Sequence, residues 1–386
     1  MRLLPDRPSI EYLRKEAKDL LGVLRESNPD ASLADAQRAL AAEYGERDWP
    51  ALKAEVERRA AETPTAPDGL AEELAGVFGL GSLSEPARPV SFTPMGRCWA
   101  ITTDRGRWLA VTVYNWITEE QAAIGARLRD AAVKAGVTAP VAVRSPRGRL
   151  IESVRDESWR VHEWIEVGPS PTLPISTALA RRAGTTYGTL HALAIPSETP
   201  INPYVIWRRP EADWYLLRDR ARAAGTPWAE QLDALLPALL DLHGIEADVA
   251  SAKLIVCNQN CIPSHVRLGR HGELVVMEWD FAGSLTAELE VGIALTHWTM
   301  RPSINPKAVA AFREGYLDVA EWPKLDLSSF GVAVTAWLNW TYNAICEAID
   351  PDDPNDPERA GFLEREAVGL LDRPMTRAGL EQLLVV

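Results

Sequence analysis

Apolar residues near the start of the chain recur every three or four positions, which is the spacing of an amphipathic helix. Ser32 and Asp35 then form a Ser-x-x-Asp sequence, which is typical of a helix N-terminus. Asp48, followed by Trp-Pro, predicts a third helix, because proline is tolerated in the first turn. Residues 1–60 are therefore predicted to form a helical module, and the proline-bearing residues 61–69 a linker. The apolar positions of the first helix are Ile10, Leu13, Ala17, Leu20, Leu21 and Leu24.

Residues 70–168 combine strands and helices. After a helix predicted over residues 69–79, two stretches of alternating or β-branched apolar residues flank Asp104-Arg105-Gly106, which predicts a hairpin. A helix follows and ends at Gly136, because glycine is favoured just past a helix C-terminus. Two strands around Pro146 and a last strand in WRVHEW complete this part. It is predicted to be a small lobe built on a sheet.

Helical patterns dominate residues 169–386. A strand–loop–strand over 254–282 is the only β element predicted here. The helical stretch that begins near residue 229 is predicted to be interrupted near Pro237 and Gly244, because both residues disfavour a helix interior. The whole chain is thus predicted to be an α+β protein.

Composition excludes several classes of function. The chain has 41 basic and 54 acidic side chains, and its net charge of -13 disfavours nucleic-acid binding. No stretch is long and apolar enough to predict a membrane span. The four cysteines lack the spacing of a disulfide framework, so we expect a cytoplasmic protein. The 14 tryptophans predict large core side chains or an aromatic ligand cleft.

The stretch from Leu254 to Gly283 joins two apolar strands through a polar loop and ends in Trp-Asp-Phe-Ala-Gly. This layout resembles the catalytic loop and metal loop of kinase-like proteins. With the segments LHALAIP and VTAWLNW, it resembles the aminoglycoside phosphotransferase family over roughly residues 70–375. The resemblance implies a bilobal, kinase-like α+β fold after the N-terminal helical module, with a nucleotide cleft between the lobes and a substrate site on the helical lobe.

Several positions depart from the pattern that the resemblance implies. Asn258 stands in place of a histidine, and Asn260 in place of the carboxylate that orients the attacking hydroxyl. His265 replaces an asparagine that binds Mg²⁺, and Glu278 replaces the metal-loop aspartate, although Asp280 offers another carboxylate nearby. An amide is not a base near neutral pH, and imidazole is softer than Mg²⁺ prefers.

The phosphate-binding groups are also reduced. A strand lysine that holds nucleotide phosphates would fall on Thr112 or its neighbours, but no lysine is present there. The phosphate turn contains only one glycine, Gly96. We therefore expect no cofactor, with ATP and Mg²⁺ required only under the alternative below. His162 lies at the hinge position, where packing is favoured over contact with an adenine.

Two functions follow from this pattern. The first is a small-molecule-binding protein of this lineage that has lost phosphotransfer, either a pseudokinase or a repurposed natural-product enzyme. As an enzyme it would use His265 and Glu278 for proton transfer, with Asn260 orienting the substrate. The alternative is an active ATP- and Mg²⁺-dependent phosphotransferase of a hydroxylated, aminoglycoside-like compound, with Glu278 and Asp280 holding the metal. The candidate substrate-binding residues are Trp279, His297, Trp298, Trp337 and Trp340.

Two weaker hypotheses concern a metal and a partner. Cys257, Cys261 and His265 recur every four residues and could form part of a zinc site with His271 or Glu278. Buried structural cysteines are favoured, because Pro263 breaks the helical spacing, and no metal is predicted. Residues 8–60 could instead dock a protein partner.

Overall fold

The computed structural model describes residues 10–61, 66–93, 96–114, 116–249, 253–351 and 357–385. The chain divides into two compact units. The sheet unit contains the residues up to 172 together with 263–282, and the helical unit contains 173–262 and 283–386. The predicted domain bounds assign 263–282 to the helical lobe, whereas this segment packs with the sheet unit. Residues 62–65 of the predicted linker and residues 94–95 of the predicted phosphate turn lie outside the described residues.

The sheet unit begins with three helices around a small core of their own. Leu13, Leu40 and Leu52, one from each helix, are fully buried there. The two predicted helix starts are confirmed: Ser32 and Asp35 form a reciprocal capping box, and Asp48 accepts from the Ala51 N–H at 2.8 Å. The helices are α1 (Ile10–Ser27), α2 (Leu33–Glu43) and α3 (Trp49–Ala61).

An antiparallel six-stranded sheet forms the rest of this unit, with strand order β1-β2-β3-β6-β4 and β5 paired to β6. Trp159 and Val161 of β6 lie in the same core as helix α4, on one face of the sheet. The predicted hairpin at Gly106 and the helix end at Gly136 (φ 97°) are confirmed. The elements are α4 (Leu70–Phe78), β1 (Arg88–Thr93), β2 (Gly96–Thr103), β3 (Gly106–Thr112), α5 (Glu119–Lys134), β4 (Ala142–Val143), β5 (Glu152–Val154) and β6 (Glu157–Glu163).

Four short strands lie between residues 255 and 285, where the chain passes from the helical unit into the sheet unit and back. β7 pairs with β10 in the helical unit, and β8 pairs with β9 in the sheet unit. The prediction of a single strand–loop–strand in this half is therefore too simple, because four three-residue strands are present. They are β7 (Ile255–Cys257), β8 (Val266–Leu268), β9 (Leu274–Val276) and β10 (Gly283–Leu285).

Helices build the remainder of the helical unit. The prediction of an interruption at Pro237 is wrong, because α9 runs through it; buried Leu232, Leu236 and Leu239 hold the helix in place although Pro237 has no N–H to donate. The helices are α6 (Thr177–Ala192), α7 (Pro203–Ile206), α8 (Glu211–Ala223), α9 (Ala229–Leu242), α10 (Ala287–Trp298), α11 (Pro306–Leu317), α12 (Gly331–Ile349), α13 (Pro357–Asp372) and α14 (Arg377–Val385). Among the helices that the structure describes, none combines the length and apolarity needed to cross a bilayer.

Candidate functional site

The metal loop, residues 277–282, follows β9 in the sheet unit and carries two acidic side chains. Glu278 folds back on its own loop, where its Oε1 accepts from the N–H groups of Trp279 at 3.0 Å and Asp280 at 2.9 Å. Asp280 is buried, and its Oδ1 accepts from the Arg160 guanidinium. Arg160 Nη2 also lies 3.7 Å from Glu278 Oε1. One guanidinium thus faces two carboxylates.

Arg160 is a residue that sequence reasoning missed. Side chains alternate along β6, so Trp159 and Val161 enter the core beside α4 and Arg160 lies on the opposite face. Only 13% of its side chain is exposed, and its Nε is buried with no hydrogen-bond partner in the described part of the chain. The period-two pattern of the strand WRVHEW could have identified this residue, because an arginine in a central strand needs an acidic partner on its own face.

Helix α5 holds the metal loop through its backbone. The Gln121 amide donates to the carbonyl oxygens of Asp280 and Ala282, both at 2.8 Å. One turn on, Gly125 lies against Trp279 so closely that a Cβ there would be 2.3 Å from the Trp279 carbonyl oxygen. The loop that carries the carboxylates is therefore fixed to the helix by two hydrogen bonds and a close backbone contact.

We expect Gly125→Ala to push the metal loop away from α5, because neither backbone can yield without breaking the Gln121 hydrogen bonds. Overpacking of this kind costs about 1–3 kcal/mol, and chemical denaturation measures it. Gly22→Ala in α1, where a Cβ would meet nothing within 4 Å, is the control. Equal stability of the two variants would contradict the close contact.

Thr112 and His162 do not lie together in the structure. Thr112 is opposite Trp159 on the α4 side of the sheet, and its Oγ1 accepts from the Arg97 N–H at 2.8 Å. His162 is buried on the Arg160 side, and desolvation, followed by the charges of Arg160 and Arg129, holds its pKa well below the usual range. His162 is therefore a neutral, buried side chain, and Thr112 is not on the face that carries the charged groups.

His265 ends the short 3₁₀ segment Pro263–His265, and its carbonyl oxygen accepts from the Met277 N–H at 3.1 Å. This bond places the backbone of His265 beside the start of the metal loop. Burial, followed by the charge of nearby Glu278, raises the pKa of the Tyr114 hydroxyl. Tyr114, Trp116 and Phe281 form a row of rings, with centroids 5.7 Å and 5.3 Å apart.

The catalytic-type loop, residues 258–261, belongs to the helical unit. The Asn258 side chain is fully buried and its Oδ1 accepts from the Asn260 N–H at 3.0 Å. Gln259 has a φ of 63°, a region that glycine or asparagine adopts more readily. The Cys261 carbonyl accepts from Tyr187 Oη at 2.7 Å and Trp298 Nε1 at 2.9 Å. Side-chain bonds therefore hold both ends of a strained loop.

Glu290, in α10, is the anchor of this loop. Its side chain is 0% exposed, and Oε1 accepts from the N–H of the strained Gln259. Oε2 lies 2.6 Å from Nε2 of His191, whose Nδ1 lies 2.9 Å from Tyr316 Oη. His191 thus bonds on both sides within a buried polar chain. Sequence reasoning also missed Glu290. In a helix of mostly apolar residues, an acidic residue stands out only as an exception to the apolar pattern, and this alone does not indicate its role.

Cys257 lies in the same cluster, and a ligand atom from each of His191, Cys257 and Glu290 falls within 4.8 Å of the others. Burial, followed by the Glu290 charge, raises the pKa of Cys257 well above its usual range, so the thiol stays protonated. A metal ligand would be the thiolate, and both ring nitrogens of His191 already have partners. His191, Cys257 and Glu290 therefore belong to a buried, hydrogen-bonded core.

The predicted substrate-binding tryptophans are mostly core residues. Trp279 and Trp298 are buried, and their indole N–H groups donate to the carbonyls of Val276 and Cys261. Trp337 is buried as well, so these three leave almost no surface for a ligand. Trp340 and His297 are partly exposed.

Several solved structures are similar to the chain. One is a spectinomycin phosphotransferase in complex with ADP and spectinomycin, with a TM-score of 0.56 and 12% identity over 84% of this chain and 98% of that one. Another is an amicoumacin kinase in complex with AMP-PNP and Ca²⁺, with a TM-score of 0.52 and 15% identity over 86% and 98%. A third is an aminoglycoside phosphotransferase from Alicyclobacillus acidocaldarius, with a TM-score of 0.52 and 15% identity over 83% and 96%. The predicted kinase-like α+β fold is confirmed.

The prediction that no cofactor is used is wrong. It rested on the missing strand lysine and the altered loops, yet proteins with this fold are solved with ADP or with AMP-PNP and Ca²⁺. That prediction considered a cation on β3 alone, whereas the structure also has a guanidinium, that of Arg160 on the neighbouring strand, beside the metal-loop carboxylates.

A family model also matches the chain directly. No curated protein sequence matches the chain. Residues 97–327, which include the sheet from β2 onward, the metal loop and the catalytic-type loop, match the model of the phosphotransferase enzyme family. The match covers more than half of the chain, and the chain therefore belongs to that family.

Proposed function

We propose that the protein is a nucleotide- and Mg²⁺-dependent phosphotransferase that modifies a hydroxylated small molecule. The observation that carries the proposal is the pair of carboxylates on a fixed metal loop with a guanidinium facing both of them. Membership of the phosphotransferase family supports it. Phosphoryl transfer consists largely of positioning and charge neutralisation, and this arrangement offers both.

The residues present fit the implied groups. Glu278 and Asp280 offer the hard oxygen ligands that Mg²⁺ prefers, and Arg160 Nε is a buried donor with no partner among the described residues, as an anion-binding group requires. Mg²⁺ held there would neutralise charge on the transferred phosphoryl group. Arg160 contributes one positive charge, and Glu278 and Asp280 contribute two negative charges. The excess of negative charge favours binding of a dication.

Asn260 is the group that we assign to the acceptor hydroxyl. Its backbone is held by Asn258, and its side chain can accept or donate a hydrogen bond without acting as a base. In a loose, metaphosphate-like transition state the bond from the attacking oxygen to phosphorus is only slightly formed, so the hydroxyl proton is not yet acidic and orientation matters more than proton removal. Because an amide cannot take up the hydroxyl proton, the turnover is still expected to be lower than that of an enzyme with a carboxylate at this position.

Nucleotide binding tests the proposal first. Mg²⁺–ATP is expected to raise the melting temperature of the protein saturably by several degrees, because a ligand of the native state stabilises it. A panel of hydroxylated antibiotics and sugars with γ-labelled ATP then identifies acceptors. A melting temperature unaffected by nucleotide and metal would overturn the proposal.

The metal requirement gives a sharper prediction. Asp280→Asn is expected to lower ATP affinity in Mg²⁺ by about tenfold or more, since a charged ligand becomes a neutral one. Affinity measured in EDTA should change far less, so the ratio of the two affinities falls. Glu73→Gln is the matched control, because Glu73 pairs with Arg155 on the α4 side of the same unit. An unchanged ratio in Asp280→Asn would contradict the assignment of Asp280.

The second candidate is a protein of this lineage that binds a nucleotide or small molecule without transferring phosphate. The specific observation in its favour is the amide at position 260, where a base is expected. Nucleotide-dependent stabilisation with no labelled product from any acceptor, and no ATP hydrolysis, would favour this candidate.

A further inference from the structure

Strand β3 carries no cation at its centre. Its basic residue, Arg107, lies at the exposed start of the strand, where its guanidinium stacks 3.7 Å over the Trp164 ring and its Nη1 lies 2.9 Å from Glu166 Oε1. The centre of the strand is Leu-Ala-Val-Thr. A nucleotide phosphate on this unit would therefore have to find its positive partner elsewhere.

The neighbouring strand, β6, carries a cation directly opposite the centre of β3. Val111 of β3 and Arg160 of β6 are direct partners in the antiparallel ladder, so their side chains project from the same face of the sheet. Val113, which follows β3 directly, packs in one cluster with Ala122 and Ala126 of α5. A cation at position 111 and the guanidinium of Arg160 would therefore lie on the same face of the sheet.

The surroundings of Arg160 suit a group that binds phosphate. The guanidinium is held by Asp280 and faces Glu278, so its direction is fixed without help from a ligand. Its fork has five N–H donors, and Nε remains buried without a protein partner in the described ranges. Arginine presents planar, paired donors that match phosphate oxygens, and it remains charged when buried.

We propose that Arg160 supplies from β6 the phosphate-binding cation that β3 lacks, and that it recognises the α- or β-phosphate of a nucleoside di- or triphosphate. The inference rests on the proposed function and deepens it. It assigns the nucleotide phosphates to the face of the sheet that carries Arg160, Val111 and the metal loop. Thr112, on the other face, takes no part.

Calorimetric titration in EDTA tests this without turnover and without metal. Arg160→Met is expected to weaken ADP binding about 10- to 100-fold, the loss typical of a charge-assisted hydrogen bond. Binding of adenosine, which has no phosphate, is expected to change less than about twofold. Arg155→Met is the control, because it removes an arginine that pairs with Glu73 on the α4 side of the unit.

Two further variants distinguish a loss of phosphate binding from a folding defect. Arg160→Met removes the guanidinium that faces Glu278 and Asp280, so its melting curve is recorded first. Arg160→Met combined with Val111→Lys returns a cation to the same face and is expected to recover at least part of the lost ADP affinity. Arg160→Lys keeps the charge but not the fork, and should lie between the wild type and Arg160→Met.

The outcomes separate the two proposals. ADP binding that survives intact in Arg160→Met, or falls equally for adenosine, would overturn the role of Arg160 and leave the proposed function standing. Failure of the double variant to recover any affinity, despite a wild-type melting curve, also counts against it. A wild-type protein that binds neither ADP nor adenosine, in EDTA or in Mg²⁺, would overturn both.

Discussion

Replacement of Glu290 by Ala is expected to destabilise the helical unit by about 3–5 kcal/mol, the cost of removing one member of a buried charged network. Glu290 is fully buried and accepts from the Gln259 N–H and from His191. Without it, a buried imidazole and a strained backbone N–H lose their acceptor together, and Ala leaves a cavity as well. A domain is typically stable by about 5–15 kcal/mol, so a large part of the margin would be lost.

Denaturation by urea, followed by tryptophan fluorescence and circular dichroism, measures this loss. Glu288→Ala is the matched control: it lies on the same helix, two residues away, and is exposed. Its effect should stay within about 0.5 kcal/mol, as for most surface substitutions. Glu290→Gln, which keeps the volume and one carbonyl acceptor, is expected to fall between the two. A Glu290→Ala variant as stable as Glu288→Ala would show that the network does not anchor the loop.

The second large effect is expected from Gly184→Ala, at the contact between helices α6 and α11. A Cβ at position 184 would lie 1.9 Å from the Phe312 carbonyl oxygen, and one at Gly315 would lie 2.0 Å from the Arg181 carbonyl oxygen. Small residues on both helices let the backbones touch. The helices would have to separate, which costs about 1–3 kcal/mol or more and exceeds the roughly 1 kcal/mol that Ala gains over Gly by helix propensity.

Gly76→Ala is the control for that substitution. Gly76 lies in α4, where a Cβ would meet no atom within 4 Å, so only the propensity gain applies and stability should stay equal or rise by about 0.5–1 kcal/mol. Thermal melting of both variants under identical conditions compares them directly. If Gly184→Ala melts at or above the temperature of Gly76→Ala, the close approach of α6 and α11 is not as described.

Local signals in the sequence predicted most of the elements. The capping box at Ser32, the cap at Asp48 and the helix end at Gly136 depend on residues a few positions apart, and all three are confirmed. Pro237 was the exception, because the cost of a missing N–H is offset by burial of the helix, which a local rule does not include. The kinase-like fold followed from the order of several weak motifs, and the family match confirms it.

The candidate site was predicted only in part. Glu278 and Asp280 were identified from the resemblance of their segment to a kinase-like metal loop, and the structure brings them together with Arg160, 118 and 120 positions away along the chain. The period-two pattern of β6 is enough to assign Arg160 to one face of the sheet, but it does not say what covers that face. Trp279 and Trp298 were expected to bind substrate and are core residues instead, since composition cannot distinguish a buried indole from one that lines a cleft.

By itself, the sequence determined the helical and strand segments, the acidic character of the chain and the family that it belongs to, because these depend on short-range patterning and on motif order. Only the tertiary structure decided which cation faces the metal loop, that Glu290 anchors the strained Gln259, and that 263–282 pack with the sheet unit. Each of these depends on the pairing of groups far apart in the chain. Such pairing is set by burial and by the need of every buried charge for a partner, which no local pattern encodes.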